Sequence, residues 1–94
     1  MTFLLKDPAA VLDYSIDWGA DYLGDTDSIA ESSWSVSPDE AGGVAVVGSD
    51  FGERIATVNV GGGIAGRIYR LTNRMVSQSQ RVDERSIVLR VEKR

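Results

Sequence analysis

Gly61-Gly62-Gly63-Ile64-Ala65-Gly66 satisfies the spacing G-x-G-x-x-G, and the ten residues that follow it, Arg67 to Val76, decide what that spacing means. A dinucleotide-binding turn needs a helix to begin there, its N-terminus aimed at a pyrophosphate. The following residues are Arg67-Ile68-Tyr69-Arg70-Leu71-Thr72-Asn73-Arg74-Met75-Val76, a run rich in β-formers. Tyr69, Leu71 and Met75 share one parity; Arg70, Thr72 and Arg74 share the other. A period of two predicts a strand. The glycines are therefore read as a turn from one strand into the next.

The same alternation recurs outward from this point. Val11 to Trp18 sets Leu12, Tyr14, Ile16 and Trp18 against Asp13, Ser15 and Asp17. Ile29 to Val36 places Trp34 and Val36 on the inner parity. Val44–Val47 is a short apolar run, followed by a turn at Gly48–Gly52. Ile55 to Val60 turns Ala56, Val58 and Val60 inward, and Asp83 to Val91 does the same with Ile87, Leu89 and Val91. Phe3-Leu4-Leu5 reads as a short edge strand closed by Pro8. Asp21-Tyr22-Leu23 suggests one helical turn, Pro38-Asp39 a type I turn, and Ser77-Gln78-Ser79-Gln80 a hairpin connection. No amphipathic helix emerges. Six or seven short strands with turn signals at each junction, in one domain spanning residues 1–94, predict an all-β fold. The expected form is a small antiparallel immunoglobulin-like β-sandwich, with a small barrel as the alternative. Tyr69, shortly after Gly66, suits the position where such sandwiches bond a tyrosine hydroxyl to the backbone of a corner.

Composition narrows the chemistry. The 94 residues contain no cysteine and no histidine. Disulfides and thiolate chemistry are excluded, and the commonest general base and transition-metal ligand are missing. No spacing singles out a carboxylate pair, so no enzyme activity and no cofactor is expected. Asp25-Thr26-Asp27-Ser28 resembles the start of a calcium loop, but the sixth position is Ala30 where glycine is needed. The opening residues are too short for a signal peptide, and no run approaches membrane-spanning length.

Net charge is −4, yet residues 1–52 hold ten Asp/Glu and one Lys, whereas residues 53–94 hold nine Lys/Arg and four Asp/Glu. Either acidic early strands lie beside basic late strands and neutralise them, or two surfaces of opposite sign face two different neighbours. The second reading marks Asp13 and Asp17 on one side, and Arg70, Arg74 and Arg90 on the other, as interface residues. Nucleic acid is a poor partner for an acidic chain whose arginine face has no interleaved aromatics.

Several segments, in order, resemble a known family. They are Lys6-Asp7-Pro8 with Leu12-Asp13-Tyr14 and Asp17-Trp18; Ile29 to Val36 with Trp34; Gly62-Gly63-Ile64-Ala65-Gly66 with Tyr69, Thr72 and Asn73; and Asp83-Glu84-Arg85-Ser86. Together they look like the tailed-bacteriophage fibre–tail adaptor family of compact Ig-like virion proteins. The chain departs from that pattern at Ser77–Gln80, which lacks a Thr/Gly-rich turn, and at residues 37–52, which look long for a connection. The resemblance implies a non-enzymatic structural protein of the phage tail, made in the bacterial host cytoplasm. It would join tail and fibre components through protein contacts, in several copies set by particle symmetry, with no nucleic acid or membrane partner. A capsid decoration (cement) protein, or a carbohydrate-binding module stacking sugars on Trp18 or Tyr22, are the alternatives.

Overall fold

Alternating side chains sort the chain into seven strands, in a computed structural model that describes residues 3–24 and 26–93 and leaves the side chains of Phe3, Ala20 and Asp21 aside. They are β1 (Phe3–Lys6), β2 (Leu12–Asp17), β3 (Ile29–Ser37), β4 (Ala45–Phe51), β5 (Ile55–Gly61), β6 (Ile68–Ser77) and β7 (Val82–Val91). They form a four-stranded sheet in the order β1-β7-β6-β3 and a three-stranded sheet in the order β2-β5-β4. Only β1 against β7 is parallel; the other pairs are antiparallel. In immunoglobulin terms β2, β5 and β4 stand where strands B, E and D stand, and β3, β6 and β7 where C, F and G stand. The expected sandwich is the fold, and the barrel is not.

The layer between the sheets holds two apolar clusters. One gathers Val44, Val58, Val60, Tyr69, Leu71, Leu89 and Val91. The other gathers Ile16, Trp18, Leu23, Ile29, Ala56 and Met75 at the opposite pole. Trp34 and Ile87 are partly buried and pack against both.

The glycine turn leads into β6, a strand and not a helix. Gly62 and Gly63 adopt φ of 73° and 118°. A Cβ on Gly62 would lie 2.6 Å from the carbonyl oxygen of Gly43, so the turn's close approach to the 40–43 segment requires glycine there. The Gly62 carbonyl also accepts from the Lys6 ammonium at 2.6 Å. Lys6 is fully buried at the end of β1 and donates as well to the carbonyls of Asp7 (2.9 Å) and Ala10 (2.7 Å). Burial holds its pKa below the ordinary lysine value, with the Asp7 carboxylate opposing.

Local expectations are corrected at four places. Gly48–Phe51 is not a turn but the second half of β4, in register with Asn59 to Ala56 of β5. Pairing on the sheet edge outweighs the weak strand propensity of Gly48-Ser49-Asp50. Residues 37–52 are accordingly not one long connection. The Ser37–Pro38 peptide is cis, and the tight turn lies further on, from the Gly43 N–H to the Glu40 carbonyl (3.0 Å). The helical turn near Tyr22 is a single wide π-turn, Gly19–Leu23, closed by the Leu23 N–H on the Trp18 carbonyl at 3.0 Å. The two tryptophans, both on inner parities, differ in cover: Trp18 is fully buried, whereas Trp34 lies on the edge strand β3 and is only half-buried.

Candidate functional site

Strand parity fixes which charges reach each outer face. On the three-stranded sheet β2 presents Asp13 and Asp17 outward, and β4 adds Asp50 opposite Thr57. The outward positions of β2, β5 and β4 carry no Lys or Arg. Asp13 accepts from the side-chain amide of its register partner Asn59. Asp17 accepts from the Gly19 N–H at 2.8 Å. These bonds orient the carboxylates and leave both residues exposed.

On the four-stranded sheet Arg70 and Arg74 of β6 and Arg90 of β7 share the outer face and are all exposed. Arg70 stands opposite Val88 on one side and Ser37 on the other, with no carboxylate in register. Arg74 faces Glu84 across β7. Arg90 pairs with Glu92 at 2.8 Å, and since both side chains are about half-exposed this pair contributes little to stability. Four residues separate Arg70 from Arg74 and Asp13 from Asp17, so each pair spans about 13 Å along its strand.

The placement bears on the two readings of the charge split. Ion pairs that join the acidic half of the chain to the basic half include Glu40 with Arg67 (3.3 Å) and Asp27 with Arg81 (3.7 Å). Asp13, Asp17 and Asp50 instead lie on the sheet opposite the one that carries Arg70, Arg74 and Arg90. One outer face is acidic; the other is mixed, carrying Arg70, Arg74 and Arg90 beside Glu31 and Glu84.

Other candidates resolve into structure. The Trp18 indole is sealed by Tyr22, edge-on at 5.5 Å, and by the Arg85 guanidinium 4.5 Å from its ring centre. Trp18 is thus closed to a sugar, which removes half of the carbohydrate reading. The Tyr69 hydroxyl donates to Glu40 (2.7 Å) and accepts from the Ile64 backbone N–H (3.2 Å), the corner bond expected of it. Burial, and then the bond to Glu40, push its pKa up. Of the acidic loop, Asp25 lies outside the described residues. Asp27 is engaged by the Ser79 hydroxyl (2.6 Å) and by the N–H groups of Ser79 (3.1 Å) and Ser28 (2.9 Å). The Ser79 hydroxyl above all lowers its pKa from 3.8 to about 2. Among the described residues no group of three or more His, Cys, Asp or Glu side chains could hold a metal ion.

Sequence reasoning missed three residues that organise these surfaces. Asn73 is fully buried between Leu71 and Met75, and its inner parity on β6 was the available signal. Lys6 shares the inner parity of β1, but a lone lysine near the chain start carries no mark of burial. Asp50 was hidden by the misread turn at Gly48–Gly52.

A comparison with curated proteins finds no match. A family model does match: residues 6–90 of the 94 fit the family described as Podophage GP4 fiber-tail adaptor protein gp77. That span covers six of the seven strands nearly whole and both outer faces, and the chain belongs to this family.

Proposed function

We propose that the chain is a structural adaptor of a podophage tail, joining a fibre component to the tail through its two outer faces. Asp13 and Asp17 meet one neighbour and Arg70, Arg74 and Arg90 the other, in several copies set by the particle's symmetry. The observation that carries this reading is the segregation of charge by sheet, with Asp13, Asp17 and Asp50 on one outer face and Arg70, which has no carboxylate in register, on the other. Complementary charge of this kind fixes partner and orientation more than it adds raw affinity. Family membership supports the location in the virion, with synthesis in the host cytoplasm before assembly. The proposed role is non-enzymatic and needs no cofactor, nucleic acid or membrane.

The test is the double substitution Arg70→Glu and Arg74→Glu. Both side chains are exposed, so the isolated variant keeps its circular dichroism, and its melting temperature falls only slightly because position 74 then sets a like charge opposite Glu84. Particles assembled with it lose fibres and infectivity. Normal fibre content and normal infectivity would reject this face as the docking surface.

A further inference from the structure

One flank of the sandwich is left open. β3 and β4 are edge strands of opposite sheets, lying on the same side, and neither has a neighbour beyond it. Between them runs a cleft of about 320 Å³ whose lining includes Trp34, Val36, Asp39, Glu40, Val44 and Val46. β4 makes the exposed wall. Phe51 faces the same side as the fully buried Ala56, its register partner, and Val46 the same side as the fully buried Val60. Both nevertheless stay partly exposed, at 40% and 37%, and neither belongs to an apolar cluster. Two core-facing apolar side chains are therefore only partly covered at the flank by the described residues.

An unpaired edge is a template for another strand, and proteins usually guard it with lysine, proline or a bulge. β4 contains no lysine, arginine or proline. Its register shift between Val46 and Gly48 is one guard, and it pushes Val47 out to 63% exposure. Beyond it Gly48 to Phe51 run in regular register with β5, leaving a stretch fit for pairing. The other edges fit less well. β1 has only four residues, and none of the core-facing apolar residues of β2 (Leu12, Tyr14, Ile16) or of β3 (Ile29, Trp34, Val36) is exposed.

Charge states what the occupant carries. From Glu31 to Glu53 the chain holds Glu31, Asp39, Glu40, Asp50 and Glu53 and no Lys or Arg. Glu40 is already paired with Arg67 at 3.3 Å, so Glu31, Asp39, Asp50 and Glu53 are the carboxylates that make the flank acidic around its apolar strip. We propose that β4 docks an extended segment of a neighbouring tail or fibre protein, in which apolar residues alternate with Lys or Arg. The segment adds to the three-stranded sheet as a fourth strand beside Gly48–Phe51. Backbone hydrogen bonds along that edge supply affinity, and the alternate side chains supply selectivity. The inference rests on the adaptor reading only for the source of the segment.

Two measurements test it. In assembled particles the backbone amides of Gly48–Phe51 exchange with solvent at least about tenfold more slowly than in the isolated chain. A Val47→Cys variant, carrying the protein's single thiol, is labelled with a benzophenone maleimide and irradiated in the particle. It cross-links to a Lys/Arg-bearing segment of a different virion protein. Particles that contain the chain but leave those amides unprotected overturn this inference alone, as does a cross-link to a second copy of the chain. Absence of the chain from particles overturns both this inference and the adaptor reading.

Discussion

The indole N–H of Trp18 donates to the side-chain oxygen of Asn73 at 2.8 Å, tying the end of β2 to the middle of β6 across the two sheets. Immunoglobulin domains of antibodies join the corresponding strands with a disulfide. Here a chain without cysteine uses a buried amide, which also donates to the Ser32 hydroxyl (2.8 Å) and the Ser33 carbonyl (3.0 Å). Asn73→Leu leaves the indole N–H and a strand carbonyl without partners in the interior. A loss of about 1–3 kcal/mol is expected in denaturant unfolding. An unchanged midpoint would show that the link carries no weight.

Two tyrosines make a paired prediction. The Tyr69 hydroxyl has two partners, so Tyr69→Phe costs about 1–2 kcal/mol. The Tyr14 hydroxyl is buried without a partner among the described residues, and burial alone raises its pKa. Tyr14→Phe removes an unsatisfied polar group and is expected to be neutral or stabilising by up to about 1 kcal/mol. Thermal melts of the two variants side by side decide this, since Tyr69→Phe must lower the melting temperature and Tyr14→Phe must not.

Glycine positions separate strain from space. Gly62 and Gly24 both have positive φ, 73° and 66°. An alanine at either meets a cost of about 1–3 kcal/mol for a positive-φ conformation that side chains rarely adopt. At Gly24 no heavy atom lies within 4 Å of the new Cβ, whereas at Gly62 the Gly43 carbonyl stands in the way. Gly62→Ala therefore melts well below Gly24→Ala. Equal melting temperatures would contradict the close approach.

Asp27 gives a pH signature. Its folded pKa of about 2 lies below its ordinary 3.8, so its stabilising contribution is complete above about pH 5. That contribution is lost as the pH falls through 3.8 towards 2. Asp27→Asn is expected to melt lower than the native chain at pH 7, with the gap closing by pH 2. A gap that stays constant across this range would rule out the carboxylate's anchoring of Ser79 as its source.

Most strands were readable because burial on one face writes a period of two into the residues, as in Leu12–Asp17 and Ile55–Gly61. Parity alone also put Arg70, Arg74 and Arg90 on one face, since pleating allows no other arrangement. β4 was only half legible. An edge strand needs few inward apolar residues, and the Gly48-Ser49-Asp50 stretch pairs because β5 is beside it, a non-local cause. The unequal cover of the two tryptophans was illegible for a similar reason. Trp18 is sealed by Arg85 and Tyr22, from distant or looping segments, while Trp34 loses cover because β3 has no outer neighbour. The pairing of Arg90 with Glu92 depends on rotamers that no periodicity records.

The two apolar clusters meet only where Trp34 and Ile87 touch both, so the interior has a waist. The body is 43 Å long, and β6 and β7, at ten residues each, run most of that length. Tension between the poles would load the β6–β7 ladder in shear, where many hydrogen bonds must fail together. A sideways pull would instead peel one sheet from the other, resisted near mid-length by Trp34, Ile87 and the Trp18–Asn73 hydrogen bond. A joint built this way is stiff along its axis and yields first across it.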